Sequence, residues 1–308
     1  MSRNETAEPL ELEGFDRKPK LEDIPDSKYF KLPHLDQSQI KQFHHNPADW
    51  AWSRLHKDGK TTQAMNFGTA FHAFMMGTGV VVSLPEGETF QKKANREWRD
   101  SETAAGHIVV SYPELQTLKT MKGNLPDEFM EQVDSGMAEQ CITWTDAKTG
   151  LPLKAKPDLI PAHRPYLVDF KTSSTVHPDD FPKHFYDFGY HIQAEFYRAA
   201  VSQIDPKLMN RDSRVPDGMH FWCFEKEGSC TFRSWTFSAD NPLAEDARMQ
   251  LRHDLNAIAD AVREGERAGM GKGLDAAAEW CLARYARSAE DVELSFPDWV
   301  LRDAEAQY

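Results

Sequence analysis

The chain has 308 residues, of which 40% are hydrophobic and 28% charged, and its formal net charge is −13 at pH 7. This length allows one large domain or two small ones with a substantial core. No apolar run approaches the roughly 20 residues of a membrane span, and the polar N-terminus does not resemble a signal peptide. We therefore expect a cytoplasmic protein that has no membrane partner.

The N-terminal part is predicted to be an irregular arm followed by helices. Residues 1–33 are charged and rich in proline, a composition typical of irregular structure. Ser38 is predicted to cap the first helix, Pro47 to begin the second, and His72 to lie within the third. The predicted helices span residues 38–46, 47–55, 66–76, 88–100 and 111–122.

A β section follows, in which apolar, β-prone runs alternate with turn-forming residues. Its predicted strands span residues 140–145, 151–160 and 166–172. Further along, we predict a helix over 181–203, strands over 219–225 and 230–237, helices over 241–266 and 274–287, and an acidic tail over 288–308. Because there is no internal repeat or long linker, residues 34–287 are expected to form one α/β domain with a helical N-terminal extension.

Two acidic residues and a lysine of the β section carry the strongest chemical signal. Asp169 and Lys171 are two residues apart on a predicted strand and share one face, whereas Phe170 points the opposite way. Asp158, near the end of the preceding antiparallel strand, is expected to lie alongside Asp169. Two adjacent carboxylates repel each other unless a cation lies between them, so the pattern predicts a Mg²⁺ site. Lys171 would then stabilise charge that develops on a phosphate.

Other polar residues are weaker candidates for the same site. His72 would add a nitrogen ligand, which suits Mn²⁺ as well as Mg²⁺. Gln193 and Tyr197 lie four apart on a helix and would offer an amide and a phenol to DNA, although a half-buried tyrosine with a bonded hydroxyl is the alternative for Tyr197. Glu139 is either an outer ligand or a solvated acid. An Asp-x-Lys triplet alone usually marks a surface ion pair.

The charge distribution bears on whether the chain binds nucleic acid. A net charge of −13 argues against nonspecific adhesion to DNA. Basic residues nevertheless flank the motifs, and they leave open a local basic groove on an acidic body. These residues are Lys92, Lys93, Arg96, Arg99, Lys154, Lys156, Arg164 and Lys171.

The order of these motifs resembles the RecB-type branch of the PD-(D/E)xK nucleases, most closely the RecE (exonuclease VIII) family of phages and prophages. The resemblance covers about residues 35–240. It is carried by Gly68-Thr69-Ala70-Phe71-His72, Lys156-Pro157-Asp158, Val168-Asp169-Phe170-Lys171 and Gln193-Ala194-Glu195-Phe196-Tyr197, in that order.

The resemblance implies a central mixed β-sheet flanked by helices. It implies that Mg²⁺ or Mn²⁺ is held by His72, Asp158, Asp169 and the backbone carbonyl of Phe170, and that Lys171 is catalytic. It also places Gln193 and Tyr197 near the DNA. Some relatives bind an iron–sulfur cluster through cysteines, but Cys141, Cys223, Cys230 and Cys281 do not have that spacing. We therefore expect no such cluster.

The function implied is a metal-dependent exonuclease that degrades one strand of linear double-stranded DNA from the 5′ end and leaves single-stranded tails for recombination. RecE-like enzymes act as ring-shaped tetramers beside a single-strand annealing protein, and the same partners are expected here. Two alternatives remain open from the sequence. One is a catalytically silent DNA-binding or scaffold protein on the same fold, and the other is a structure-specific endonuclease.

Overall fold

The computed structural model describes residues 8–56, 63–287 and 295. The strands are β1 (Lys20–Glu22), β2 (Val81–Ser83), β3 (Ile108–Val110), β4 (Met137–Ala138), β5 (Cys141–Thr145), β6 (Pro152–Ala155), β7 (Leu159–Ile160), β8 (Tyr166–Ser173), β9 (Gly218–Glu225) and β10 (Phe232–Ser238). The α-helices are α1 (Asp26–Tyr29), α2 (Gln37–His45), α3 (Pro47–Leu55), α4 (Gln63–Met76), α5 (Lys93–Ala104), α6 (Tyr112–Gly123), α7 (Asp127–Ser135), α8 (Phe181–Asp187), α9 (Tyr190–Val201), α10 (Pro242–Arg267) and α11 (Gly273–Tyr285). A short 3₁₀ helix covers Pro206–Met209.

The central sheet is mixed, as predicted. Its strand order is β10-β9-β8-β7-β4, in which β8 and β9 run parallel and the other neighbours are antiparallel. A second sheet has the order β1-β5-β6, and β2 pairs with β3 in parallel. The sheet is the middle layer of an α/β fold.

Alternation along β8 and β9 separates two hydrophobic clusters. Leu167 and Phe221 point to the cluster under α2, α3, α9, α10 and α11, whereas Phe170 and Trp222 point to the cluster under α4, α6 and α7. Because side chains on a strand alternate between faces, Asp169 and Lys171 share the face of Leu167, toward α9. The alternation of side chains along β8 therefore determines the face on which Asp169 and Lys171 lie.

Two predicted elements are broken in the structure. The predicted strand 151–160 is divided into β6 and β7, which belong to different sheets, and Pro157 lies in the break, where its missing N–H costs no ladder hydrogen bond. The predicted helix 181–203 is divided into α8 and α9. Gly189 lies between them with φ of 62°, a left-handed conformation that glycine adopts without strain.

The N-terminal region also departs from the sequence prediction. Asp36, rather than Ser38, caps α2, because its carboxylate accepts a hydrogen bond of 3.0 Å from the N–H of Gln39. The predicted irregular arm contains β1, which pairs with β5, and the short helix α1. Long-range pairing to β5 outweighed the arm's local composition.

Some elements were missed and one prediction lies outside the structure. Strands β2, β3 and β4, which have two or three residues each, and helix α7 were not predicted. The predicted acidic tail lies outside the described residues apart from Ser295. Within the described part of the chain, no helix has the length and apolar character needed to cross a membrane.

Candidate active site

The paired strands β7 and β8 bring the two predicted acidic residues together. Leu159 is the antiparallel partner of Val168, so Asp158 lies opposite Asp169. The N–H of Phe170 donates a hydrogen bond of 2.7 Å to Asp158 Oδ2. The N–H and C=O of one strand residue point to the same side, so the Phe170 carbonyl also faces the side of Asp158.

Asp169 is the most deeply buried acid of the site, with 1% of its surface exposed. Lys171 Nζ forms an ion pair with Asp169 Oδ2, and Gln193 Nε2 donates a hydrogen bond of 2.6 Å to Oδ1. Burial raises the pKa of Asp169 to about 6, because the opposing charge of Lys171 does not fully compensate and Asp158 adds repulsion. The pKa of Lys171 is raised despite burial, because both carboxylates favour its charged form.

His72 reaches the same place from α4. Its Nδ1 lies 3.2 Å from Asp158 Oδ2. Burial by itself would lower the pKa of His72, but the charge and hydrogen bond of Asp158 outweigh it and raise that pKa. Burial alone would raise the pKa of Asp158, and His72 and Lys171 together lower it. The GxxxH segment and the two acidic segments therefore meet in one site, which we call the catalytic cluster (His72, Asp158, Asp169 and Lys171).

Gln193 and Tyr197, the two residues predicted to contact DNA, lie on α9 close to the acidic residues, and Tyr197 lines the cavity beside His72 and Asp158. Both side chains are buried on α9, and the Gln193 amide is engaged with Asp169. Burial and the nearby charges of Asp169 and Asp158 raise the pKa of Tyr197 well above its usual range. The structure therefore gives Gln193 a role in orienting Asp169, and DNA contact by either residue stays a prediction.

The donor set of the catalytic cluster fits a divalent cation. Two carboxylates, an imidazole and the Phe170 carbonyl are ligands that Mg²⁺ and Mn²⁺ accept. Asp169 Oδ2 is buried, and its partner is the ammonium group of Lys171. Among the described residues, no three acidic, histidine or cysteine side chains already converge on one point, and Asp169 itself is turned to Lys171 and Gln193.

Two residues beside Lys171 were not found from the sequence. The Tyr190 ring centre lies 5.0 Å from Lys171 Nζ. Lys41 on α2 donates a hydrogen bond of 3.0 Å to the Phe188 carbonyl, and burial, with a contribution from Lys171, lowers its pKa to about 8. No local pattern marks either residue, because helix α2 and the turn before α9 meet only in the folded chain.

A cavity of about 1090 Å³ opens beside His72 and Asp158. Its walls come from arm residues 23–30, the start of α2, one face of α4 and the segment that carries Glu139. The N–H of Glu139 donates a hydrogen bond of 2.9 Å to the Asp158 carbonyl, which fixes this acid at the cavity wall. The cavity therefore gives solvent and ligands a route to the Asp158 side of the catalytic cluster.

Lys154, one of the basic residues that flank the motifs, does not contribute to a basic groove. Lys154 is 1% exposed and donates to the carbonyls of Tyr29 and Leu32, so it anchors the arm. Lys156 Nζ lies 2.6 Å from Asp26 of the arm, and Lys92 is paired with Glu88. The interpretation of these lysines as a DNA groove was wrong for Lys154, because a buried ammonium cannot reach a phosphate.

The four cysteines lie on separate elements. Cys141 is on β5, Cys223 on β9, Cys230 in the turn before β10 and Cys281 on α11, and each is a buried free thiol. Burial raises the pKa of every one of these thiols. Buried thiols of high pKa are poor nucleophiles, so these side chains act as small apolar groups of the core.

A mixed sheet with Asp158 and Asp169-x-Lys171 on adjoining strands defines a PD-(D/E)xK nuclease fold. The chain belongs to the family described as a PDDEXK-like domain of unknown function (DUF3799), whose model matches residues 37–274. The fold is also similar to a crystal structure from Eubacterium rectale described as a "putative exonuclease". The TM-score is 0.51 at 14% identity, over 77% of this chain and 88% of that one. No curated protein is significantly similar in sequence.

Proposed function

We propose that this protein is a metal-dependent exonuclease that hydrolyses linear double-stranded DNA, acts in the 5′→3′ direction and leaves single-stranded tails for recombination. The observation that carries the proposal is the catalytic cluster itself, in which Asp158 accepts a hydrogen bond from the Phe170 N–H and Asp169 is paired with Lys171. Burial raises the pKa of Asp169 to about 6, and carboxylates perturbed in this way by burial and by specific charged neighbours cluster at functional sites.

His72, Asp158, Asp169 and the Phe170 carbonyl would hold Mg²⁺ or Mn²⁺. Such an ion, when bound, activates a water molecule and polarises the phosphate. Gln193 keeps the Asp169 carboxylate oriented through its hydrogen bond of 2.6 Å. The Lys171 ammonium, whose pKa is raised by the two carboxylates, stays protonated and stabilises the charge that builds on the phosphate oxygens.

The charge of the whole chain supports the proposed preference for DNA ends and the proposed ring assembly. A net charge of −13 disfavours adhesion to the sides of a duplex. In the described region, several lysines near the motifs are paired with acids or buried. A closed homo-oligomeric ring, such as a tetramer, would confine the favourable potential to its channel, which admits a DNA end. A single-strand annealing protein is the expected partner for the tails, in the cytoplasm.

The proposal is tested with linear duplex DNA that is labelled separately at each 5′ and 3′ end, beside a closed circular duplex. Reactions contain Mg²⁺, Mn²⁺ or EDTA, and the native mass of the protein is measured in the same buffer. We expect metal-dependent release of the 5′ label, an intact circle and a mass of several subunits.

Each other outcome identifies a different function. Cleavage of the circle would indicate an endonuclease. Earlier loss of the 3′ label would indicate that the enzyme degrades DNA in the 3′→5′ direction. If no duplex is cut with either metal, but DNA is retained in a binding assay, the protein is a silent binding protein on a nuclease fold.

A further inference from the structure

An exposed aromatic ring lies next to the catalytic cluster and has no partner role in the mechanism above. Phe188, at the end of α8, is 58% exposed. Its ring is stacked on Tyr190, with centres 5.7 Å apart and planes at 19°. Tyr190 is in turn stacked on the buried Phe221 at 5.6 Å and 16°. The three rings form a stacked series that runs from the buried Phe221 to the exposed Phe188.

Tyr190, the middle ring of this series, contacts Lys171. Lys171 Nζ lies 5.0 Å from the centre of the Tyr190 ring, and it is paired with Asp169. A single ring therefore separates Phe188 from the ammonium group that is proposed to stabilise the phosphate. The large cavity opens at His72 and Asp158 of the same cluster.

The position of Phe188 is held by the fold. Gly189 takes a left-handed conformation with φ of 62°, which ends α8 and starts α9. Lys41 Nζ binds the Phe188 carbonyl at 3.0 Å, and a Cβ at position 189 would lie 2.9 Å from Lys41 Cδ. The Phe188 backbone, the Lys41 side chain and Gly189 are therefore closely packed. The ring is presented on a fixed turn, and its outer face remains open to solvent.

We propose that Phe188 is a stacking subsite for a nucleobase of the strand being cut, close to the scissile phosphate. The inference rests on the proposed nuclease function and deepens it. Aromatic side chains bind unpaired bases of any sequence through stacking, which suits an enzyme that degrades DNA without sequence preference. The occupant is a base rather than a phosphate, because the exposed surface is an apolar ring face.

Tyr186 provides a matched control two residues away. It is 56% exposed, and its ring is stacked on His191 at 5.2 Å and 3°. If activity fell merely because a surface aromatic ring was removed, the loss of activity would be the same for Tyr186→Ala and Phe188→Ala. If it fell because a base no longer stacks on Phe188, the loss of activity would be confined to Phe188→Ala.

The experiment combines protein variants with abasic DNA. Cleavage of linear duplex is measured for the parent protein, Phe188→Ala, Phe188→Trp, Phe188→Leu and Tyr186→Ala. Each is assayed on intact DNA and on DNA in which one base near the labelled end is removed, position by position. At one position we expect the parent kcat/KM to fall about 10-fold when the base is removed. On intact DNA, the kcat/KM of Phe188→Ala should be about 10-fold below that of the parent. Removing the base at that position should lower the kcat/KM of this variant almost no further.

The remaining variants separate stacking from other roles. Phe188→Trp should keep the parent activity and its sensitivity to the missing base, and Tyr186→Ala should match the parent on both substrates. Full activity and base sensitivity in Phe188→Leu would overturn stacking in favour of simple apolar contact. Equal base sensitivity in Phe188→Ala and the parent would also overturn it, while leaving the nuclease function intact.

Native mass of the variants completes the test. A change of oligomeric state in Phe188→Ala alone would overturn the subsite and show that the ring packs against a second copy of the chain. If the parent protein cuts no DNA with any metal, the proposed function itself fails and the subsite fails with it. The two failures are therefore distinguishable.

Discussion

Two groups of buried charges in this protein have opposite character. One joins α9 to α10: Glu195 accepts hydrogen bonds of 2.6 and 2.7 Å from Arg198 and of 3.0 Å from Arg248, and Arg198 also donates to the Pro216 carbonyl. The other is the catalytic cluster, where Asp169 is held by Lys171 and Gln193 but lies opposite a second carboxylate, that of Asp158. The single carboxylate of the first group is satisfied by two guanidinium groups, whereas the second group places two carboxylates together.

The pKa shifts of Asp146 and Asp169 show how far hydrogen-bond donors offset burial. At Asp146, near the first group, burial alone would raise the pKa, but hydrogen bonds from Arg252 and Thr149 outweigh it and lower that pKa. At Asp169, burial dominates and raises the pKa to about 6. A buried acid whose charge is matched by donors stays ionised, whereas two carboxylates placed together favour a cation beside them, as is common at functional sites.

The largest expected effect is that of Asp169→Asn on activity. The substitution keeps an oxygen for Gln193 but removes the charge that faces Lys171 and a cation. We expect cleavage to fall by at least about 10³-fold, which is more than 4 kcal/mol of transition-state stabilisation. Labelled duplex DNA measures the rate, and far-UV circular dichroism should be unchanged.

Asp179→Asn, which changes an exposed acid, is the control for this variant and should cut like the parent. Asparagine is a cleaner choice than alanine, because alanine would also leave Gln193 without its acceptor. An Asp169→Asn protein that cuts at the parent rate would show that the site is misassigned.

Breaking the satisfied group should instead cost stability. Glu195→Ala leaves the largely buried Arg198 without its carboxylate, so we expect the free energy of unfolding to fall by about 3 kcal/mol, as for other broken buried pairs. Urea unfolding measures this. Cleavage well below the melting temperature should stay within about threefold, because Glu195 does not contact the catalytic cluster.

Glu245→Ala is the matched control, since Glu245 is an exposed partner of Arg248. Its cost should be below about 1 kcal/mol, the usual value for a surface pair. Equal costs for the two variants would refute the view that the buried pair stabilises the fold.

Lys171→Ala should slow the chemical step and leave metal binding in place. We expect kcat to fall about 100-fold, the effect of removing one charged group from a developing oxyanion. Single-turnover cleavage measures the step, and a Mn²⁺ titration measures the metal. Lys183→Ala, on the exposed side of α8, is the control. Undiminished turnover in Lys171→Ala would remove the lysine from the mechanism.

The smallest expected effect concerns Asp254, a buried acid outside the site. Its Oδ1 lies 3.0 Å from His44 Nδ1, whereas Oδ2 has no hydrogen bond, and burial raises its pKa. A raised folded pKa means that this group contributes stability at low pH, below its unfolded pKa, and loses it as pH rises through the folded value.

Asp254→Asn should therefore raise the stability at pH 8 by about 1 kcal/mol or less, and the gain should vanish near pH 4. Thermal melts at the two pH values test this, with the exposed Asp246→Asn of the same helix as the control. A gain that is independent of pH would mean that the charge of Asp254 is not the cause.

Much of the catalytic cluster was predictable because its geometry is local. Asp169 and Lys171 share a face through the period of two along β8, and His72 is on the helix predicted from its apolar spacing. The split of the predicted strand at Pro157 was not anticipated, yet the hairpin still set Asp158 opposite Asp169.

Other features depended on contacts that no local pattern encodes. Lys154 was assigned to a DNA groove, but its ammonium binds carbonyls of Tyr29 and Leu32, more than 100 residues earlier in the chain. Gln193 was assigned to DNA because its helical spacing with Tyr197 is visible in the sequence. That it donates to Asp169 depends on how α9 crosses the sheet, which spacing along one helix does not specify.

The sequence by itself determined the order of motifs, the residue types of the catalytic cluster and the face of β8 on which they lie, because strand and helix periodicity are properties of the local backbone. Only the tertiary structure decided which charges are satisfied and which remain available. It buried Lys154, turned Gln193 to Asp169 and left Phe188 exposed against the Tyr190 ring that contacts Lys171. Burial and hydrogen-bond partners are set by elements distant in sequence, so they arise only when the layers pack.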